Sequence, residues 1–108
     1  MEKVYNKLVR DNIPELMIKD GWQPYTRVLN DSEYKQELEL KLNEEYQEVL
    51  KTTTSDERIE ELADMLEIIS ALAGVEGKSL DDVVKVAKQK KLRKGGFEKK
   101  FFLEKVEE

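Results

Sequence analysis

Residues 41–64 read KLNEEYQEVL, KTTTSDERIE, ELAD, and no other stretch restricts the fold as strongly. On both sides of KTTTSD, apolar residues recur at spacings of three and four, the repeat of one α-helical face. Upstream these are Tyr34, Leu38, Leu42, Tyr46 and Val49; downstream they are Leu62, Met65, Leu66, Ile68, Ile69, Leu72 and Ala73. KTTTSD is rich in Thr, Ser and Asp and reads as a short turn, so two long helices are expected to lie antiparallel. Each carries two carboxylates three residues apart, Glu45/Glu48 and Glu61/Asp64, which puts each pair on one side of its helix. Over Arg58–Gly74, Glu61 falls inside the apolar sector between Met65, Ile68 and Leu72, and Asp64 falls at its edge. Glu60, Glu67 and Ser70 fall on the opposite side. A carboxylate on a core-facing stripe is unfavourable unless it is paired or bound to a metal. Four carboxylates facing one another would repel unless they held a hard cation, and oxygen ligands suit Mg2+ or Mn2+.

The chemistry open to the chain is narrow. It contains no cysteine and no histidine, which removes thiolate and imidazole from any metal or acid–base role. Carboxylates, Lys, Tyr and water must do such work. Charged residues make up 40 % of 108 positions and aromatics 7 %, a balance expected of one all-α domain spanning 1–108. A net charge of −5 argues against general nucleic-acid binding. No apolar run approaches a membrane span and no signal-peptide pattern opens the chain, so a soluble cytoplasmic protein is expected. Charge is segregated: 31–67 holds 13 acids and 4 bases, and 85–100 holds 8 bases and 1 acid. An acidic metal site beside a basic segment suits a polyphosphate substrate, although the two halves could simply attract each other.

Along the chain, an irregular arm is expected up to Asp11, with Asp11 or Asn12 capping a short helix from Ile13 to about Lys19. Gly21 ends it. Residues 25–29, YTRVL, read as a short strand. Trp22 and Tyr25 read as a small hydrophobic cap or as surfaces for stacking a nucleobase. Asp31-Ser32 opens the first long helix, running to about Leu50, and Arg58 to Gly74 forms the second. Ser79-Leu-Asp-Asp82 has the form of a capping box, so a third helix starts at Leu80. Val83, Val84, Val86 and Ala87 give this helix an apolar face, and Gly95-Gly96 stops it. Phe97, Phe101, Phe102 and Leu103 are expected to pack back on the core, with 99–104 pairing with 25–29 as a small β-ribbon.

The pattern E-E-x-x-E followed by E-x-x-D stands here as Glu44-Glu45-Tyr46-Gln47-Glu48 and Glu61-Leu62-Ala63-Asp64. It resembles the all-α nucleoside triphosphate pyrophosphohydrolases, the MazG-like and phosphoribosyl-ATP pyrophosphohydrolase-like superfamily. The runs YNKLVRDNIP, EYKQELELKLNEEYQE, ELADMLEII and KGGFEKKFFL extend the likeness over most of the chain. The resemblance implies an antiparallel helical bundle that oligomerises and a Mg2+-dependent cleavage of nucleoside triphosphates to a monophosphate and pyrophosphate. It also implies a house-cleaning role in the nucleotide pool. Carried over by position, Glu45, Glu48, Glu61 and Asp64 would hold the metal, and Glu44 would support a ligand or orient the attacking water. Lys90 is the nearest match to a lysine that precedes the family's Arg-Gly-Gly-Phe ending. Lys94 stands where that arginine is usual, with Arg93 beside it, so the residue that grips the phosphates stays open. Lys7 and Arg10, in KLVRD, would line the same pocket.

These expectations describe a hydrolase in which Glu44 or Glu48 accepts a proton from water and Lys90, Arg93 or Lys94 neutralises the leaving pyrophosphate. The rivals are a nucleotide- or metal-binding relative with little turnover, and a helical interaction module with no chemistry. The second long helix is apolar over a wider sector than one neighbour covers, so a homodimer or homotetramer is expected.

Overall fold

Three residues, Thr52–Thr54, separate the two longest helices, a link short enough to favour antiparallel packing, and the two do lie side by side. The computed structural model describes all 108 residues and consists of four helices. They are α1 (Ile13–Lys19), α2 (Asp31–Lys51), α3 (Ser55–Val75) and α4 (Leu80–Lys94). The fold is all-α: α2 packs along α3, α4 meets α3, and α1 packs against no other helix.

Helix boundaries follow from local hydrogen bonds. At α2 the cap is Asn30, one residue before the expected Asp31-Ser32. Its side chain accepts the Glu33 N–H at 2.9 Å, and the Glu33 carboxylate accepts the Asn30 N–H at 3.4 Å. Asn, Asp and Ser stand consecutively here, and all three are good caps. Asn30 is the one that keeps an extended backbone with Glu33 three residues on. The Arg27 guanidinium also grips Glu33, at 3.1 Å, and together with the Asn30 N–H holds that carboxyl below its usual range. At α3 the helix starts three residues before the expected Arg58. Thr54 accepts the Glu57 N–H at 3.2 Å, and Asp56 and Glu57 favour the positive end of the helix dipole. The polar run that reads as a turn is therefore half helix. Ser79 and Asp82 form the expected capping box of α4, with bonds of 3.1 and 2.9 Å. Gly77 provides the turn into it at φ +72°, a left-handed conformation that other residues rarely adopt.

The core is one seam. Only Leu38 (3 % exposed), Val49 (5 %), Ile68 (6 %) and Ala73 (8 %) are buried, two from α2 and two from α3. Tyr34, Leu42, Met65, Ile69 and Leu72 flank it half-buried, whereas Tyr46, Leu62 and Leu66 lie exposed. The chain is elongated, 64 × 36 × 24 Å, with a radius of gyration of 18.5 Å. A compact domain of this length would have about 13 Å.

Three expectations are corrected. No strand forms, so 25–29 and 99–104 make no β-ribbon. An isolated two-stranded ribbon is marginal in water, and neither segment has a packed face to rest on. The Phe97–Leu103 segment does not pack back: Phe97, Phe101 and Phe102 are all exposed, as is the apolar face of α4 at Val83, Val84 and Val86. Leu80 is the only α4 residue even partly buried, so the helix touches α3 at its start and leaves the rest of its apolar side uncovered. Trp22 and Tyr25 cap nothing and face solvent.

Candidate metal centre

In an antiparallel helix pair, residues equally far from the turn stand at the same level. Counting from Thr53, Glu45 lies eight positions back and Glu61 eight forward, and Leu38 and Ile68 are each fifteen away. Glu45 is also seven residues after Leu38 and four before Val49, so the buried seam residues hold its stripe inward. Glu61 and Asp64 are seven and four residues before buried Ile68. Seam packing thus carries the three acids to one place.

There they converge: one carboxylate oxygen from each of Glu45, Glu61 and Asp64 lies within 4.8 Å of the others, and all three residues are half-buried. Two oxygens on opposite sides of one Mg2+ are about 4.2 Å apart, so small side-chain rotations would close this set on a single ion. The electrostatics agree. The Glu61 carboxyl is raised above the ordinary carboxylate range, first by partial burial, then by the adjoining Glu45 carboxyl, and then by the charges of Asp64 and Glu48. A group whose ionised form is disfavoured in this way is stabilised by a nearby cation. The donor set, oxygen only, fits Mg2+ or Mn2+.

The other expected residues are placed as follows. Glu48 adds its charge to the cluster but stays outside the converging set, with Lys51 Nζ 3.8 Å from its Oε1. Glu44 is exposed on α2. Arg10 reaches the site, donating from Nη2 to Asp64 Oδ1 at 2.8 Å. Lys7 lies with Nζ 5.8 Å from the centre of the Tyr5 ring. Lys90, Arg93 and Lys94 are exposed on α4, and no ion pair joins them to the acidic cluster of their own chain.

Beside the cluster, at the turn end of the hairpin, is an open cleft of about 250 Å³ lined by Glu48, Lys51, Thr52, Glu57, Glu60 and Glu61. No hydrophobic residue lines it, so it suits ions, water and phosphate rather than a hydrophobic ligand. Four acids against one lysine would repel a phosphate unless a cation intervened. The roles of Lys51, Thr52, Glu57 and Glu60 as its lining were not apparent from spacing: Glu60 falls on the polar side of α3 and reads as solvated. The Arg10–Asp64 pair has no spacing signal either, because its members are 54 residues apart.

No family model matches the chain, and no solved structure matches it. Over 54 residues it is 44 % identical to an uncharacterized protein of Mycolicibacterium smegmatis, an alignment covering 50 % of this chain and 55 % of that protein. The chain thus spans about half the length of the relative it matches, whose description carries no activity. No helix is long and apolar enough to cross a membrane.

Proposed function

We propose that this protein hydrolyses nucleoside triphosphates between the α- and β-phosphates, releasing a monophosphate and pyrophosphate. The observation that carries the reading is the convergence of Glu45, Glu61 and Asp64 across the α2–α3 seam. These are three of the five acids in the pattern on which the resemblance to the all-α pyrophosphohydrolases rests. These three residues, with Glu48 closing from the side, would hold Mg2+ or Mn2+. Bound there, the ion supplies charge for a phosphoryl oxygen and lowers the pKa of a water. A carboxylate not fully committed to the ion would accept that water's proton, either Glu48, which adjoins the converging set, or Glu44, next to Glu45 on α2, which could instead support the ligand or orient the water. Pyrophosphate release in Mg2+, measured over ordinary, deoxy and damaged triphosphates, tests the reaction and identifies the substrate. Release from none of them would overturn the proposal.

The basic residues enter through assembly. Lys90, Arg93 and Lys94 pair with none of the carboxylates of their own chain, although leaving-group charge on pyrophosphate needs a cationic partner. An elongated chain with four buried residues and a bare apolar side on α4 supports a homodimer or homotetramer, in which α4 is covered. Light scattering at micromolar concentration is expected to give at least twice the 12.7 kDa chain mass. A monomer would refute the assembly.

The uncovered apolar surfaces also favour a second reading, an interaction module without chemistry. The two separate on melting with Mg2+. An ion held only by the folded chain stabilises it by about 2.7 kcal/mol at one hundred times its dissociation constant. The melting temperature is therefore expected to rise in millimolar Mg2+, and an unchanged value would favour the module.

A further inference from the structure

Residues 1–26 are attached to the long helices by a single polar contact, the Arg10–Asp64 ion pair. Arg27 is tied to Glu33, but that bond is local to the start of α2. The arm has little else to hold it. Residues 1–7 are exposed, α1 packs against no other helix, and only Leu8, Val9, Ile13, Pro14, Met17 and Pro24 are even half-buried. The one polar anchor lands on a carboxylate of the acidic cluster, so a guanidinium serves as counter-cation where the cluster would take a metal.

Arg10 and a divalent ion cannot share Asp64 without opposition. Both are cationic, and a ligand oxygen about 2.1 Å from Mg2+ and 2.8 Å from a guanidinium nitrogen would bring the two charges close together. Mg2+ also demands near-octahedral geometry, which a guanidinium crowding one ligand disturbs. The ion carries twice the charge and can take oxygens from Glu45, Glu61 and Asp64 at once, whereas Arg10 bonds only Asp64. The pair is also more than 40 % exposed on both sides, and such pairs are weak.

We propose that Arg10 is a displaceable strap: it neutralises Asp64 in the metal-free protein, and a divalent ion expels it and releases the N-terminal arm. Loading of the site thereby becomes a change in the mobility of residues 1–26. The inference rests on the metal-centre reading above and adds a regulation to it.

Two measurements on the full chain test it. The first is Mn2+ affinity by calorimetry for wild type and Arg10→Ala. Removing a competing cation is expected to tighten binding about two- to fivefold, the range of a weak exposed ion pair. If Arg10 instead oriented Asp64 for the metal, binding would weaken, and either weakening or no change overturns the strap. The second is limited trypsin digestion with and without Mg2+, scored as cleavage after Lys7 and Arg10 relative to cleavage after Lys99 and Lys100 in the exposed tail. Trypsin must take the arginine side chain into its own pocket, so a guanidinium bound to Asp64 resists. Mg2+ is expected to speed arm cleavage relative to tail cleavage, and an unchanged ratio overturns the proposal. The two readings fail separately. Mn2+ binding with an unresponsive arm sinks the strap alone, whereas no Mn2+ binding by either protein sinks the metal centre and the strap with it.

Discussion

Glu61→Gln is expected to lower pyrophosphate release at least about 100-fold while making the metal-free protein more stable. Glutamine keeps the shape of the side chain and leaves the seam intact, but it withdraws a charged oxygen from a set of three. Altering even the groups that support metal ligands typically reduces metal affinity or activity about 10–100-fold, so losing a ligand itself should do no less. The stability gain has a separate origin. The Glu61 carboxyl is raised above its ordinary value by partial burial and by its acidic neighbours, so the folded chain takes up this proton more readily than the unfolded chain. Stability therefore falls as pH rises from the unfolded carboxylate value through the raised one. In EDTA, wild type should melt higher as pH is lowered toward that window, and Glu61→Gln should flatten the trend. Asp64→Asn is expected to match the loss of activity without the gain, because it also breaks the Arg10 ion pair. Melting curves in EDTA across pH, paired with pyrophosphate release in Mg2+, check all of this. A Glu61→Gln protein with full turnover would remove it from the ligand set.

Leu38→Ala is expected to cost about 2–5 kcal/mol of folding stability, as buried leucine truncations do. Leu38 is the most buried residue in a core of four, 3 % exposed, so no second layer exists to collapse into the space. Stabilities of small domains total about 5–15 kcal/mol, so this one change removes a large share. Leu40, two residues along the same helix, is exposed and is expected to tolerate alanine within about 0.5 kcal/mol wherever no second copy covers it. Urea titration at one fixed protein concentration measures both, with concentration held constant because assembly would shift the midpoint. Leu38→Ala should also weaken Mn2+ binding, since Leu38 holds the stripe that turns Glu45 inward seven residues later. Equal midpoints for the two variants would mean that the seam is not the core.

Much of this was legible from residue spacing. The three-and-four repeats around KTTTSD predict α2, α3 and their antiparallel pairing, and the serine–aspartate box predicts the start of α4. Glu61 inside an apolar stripe predicts a carboxylate turned toward the seam, where it is found. Boundaries were less legible. Asn30 and Thr54 each sit among several good caps, and only the backbone conformation selects one of them. The tail departs from expectation because aromatic residues imply burial only if a surface is available to receive them, and a single chain provides none for Phe101 and Phe102.

Periodicity is a property of neighbours along one helix, so it specifies which faces are apolar, where helices turn, and which acids accompany the seam. It carries no information about meetings between distant segments. That Arg10 lands on Asp64, that Glu48 stands outside the set closed by Glu45, Glu61 and Asp64, and that α4 and the tail leave the core bare depend on how helices are placed in three dimensions. Those placements arise from packing at the seam and at the α3–α4 corner, where a few side chains set distances that no one-dimensional spacing records.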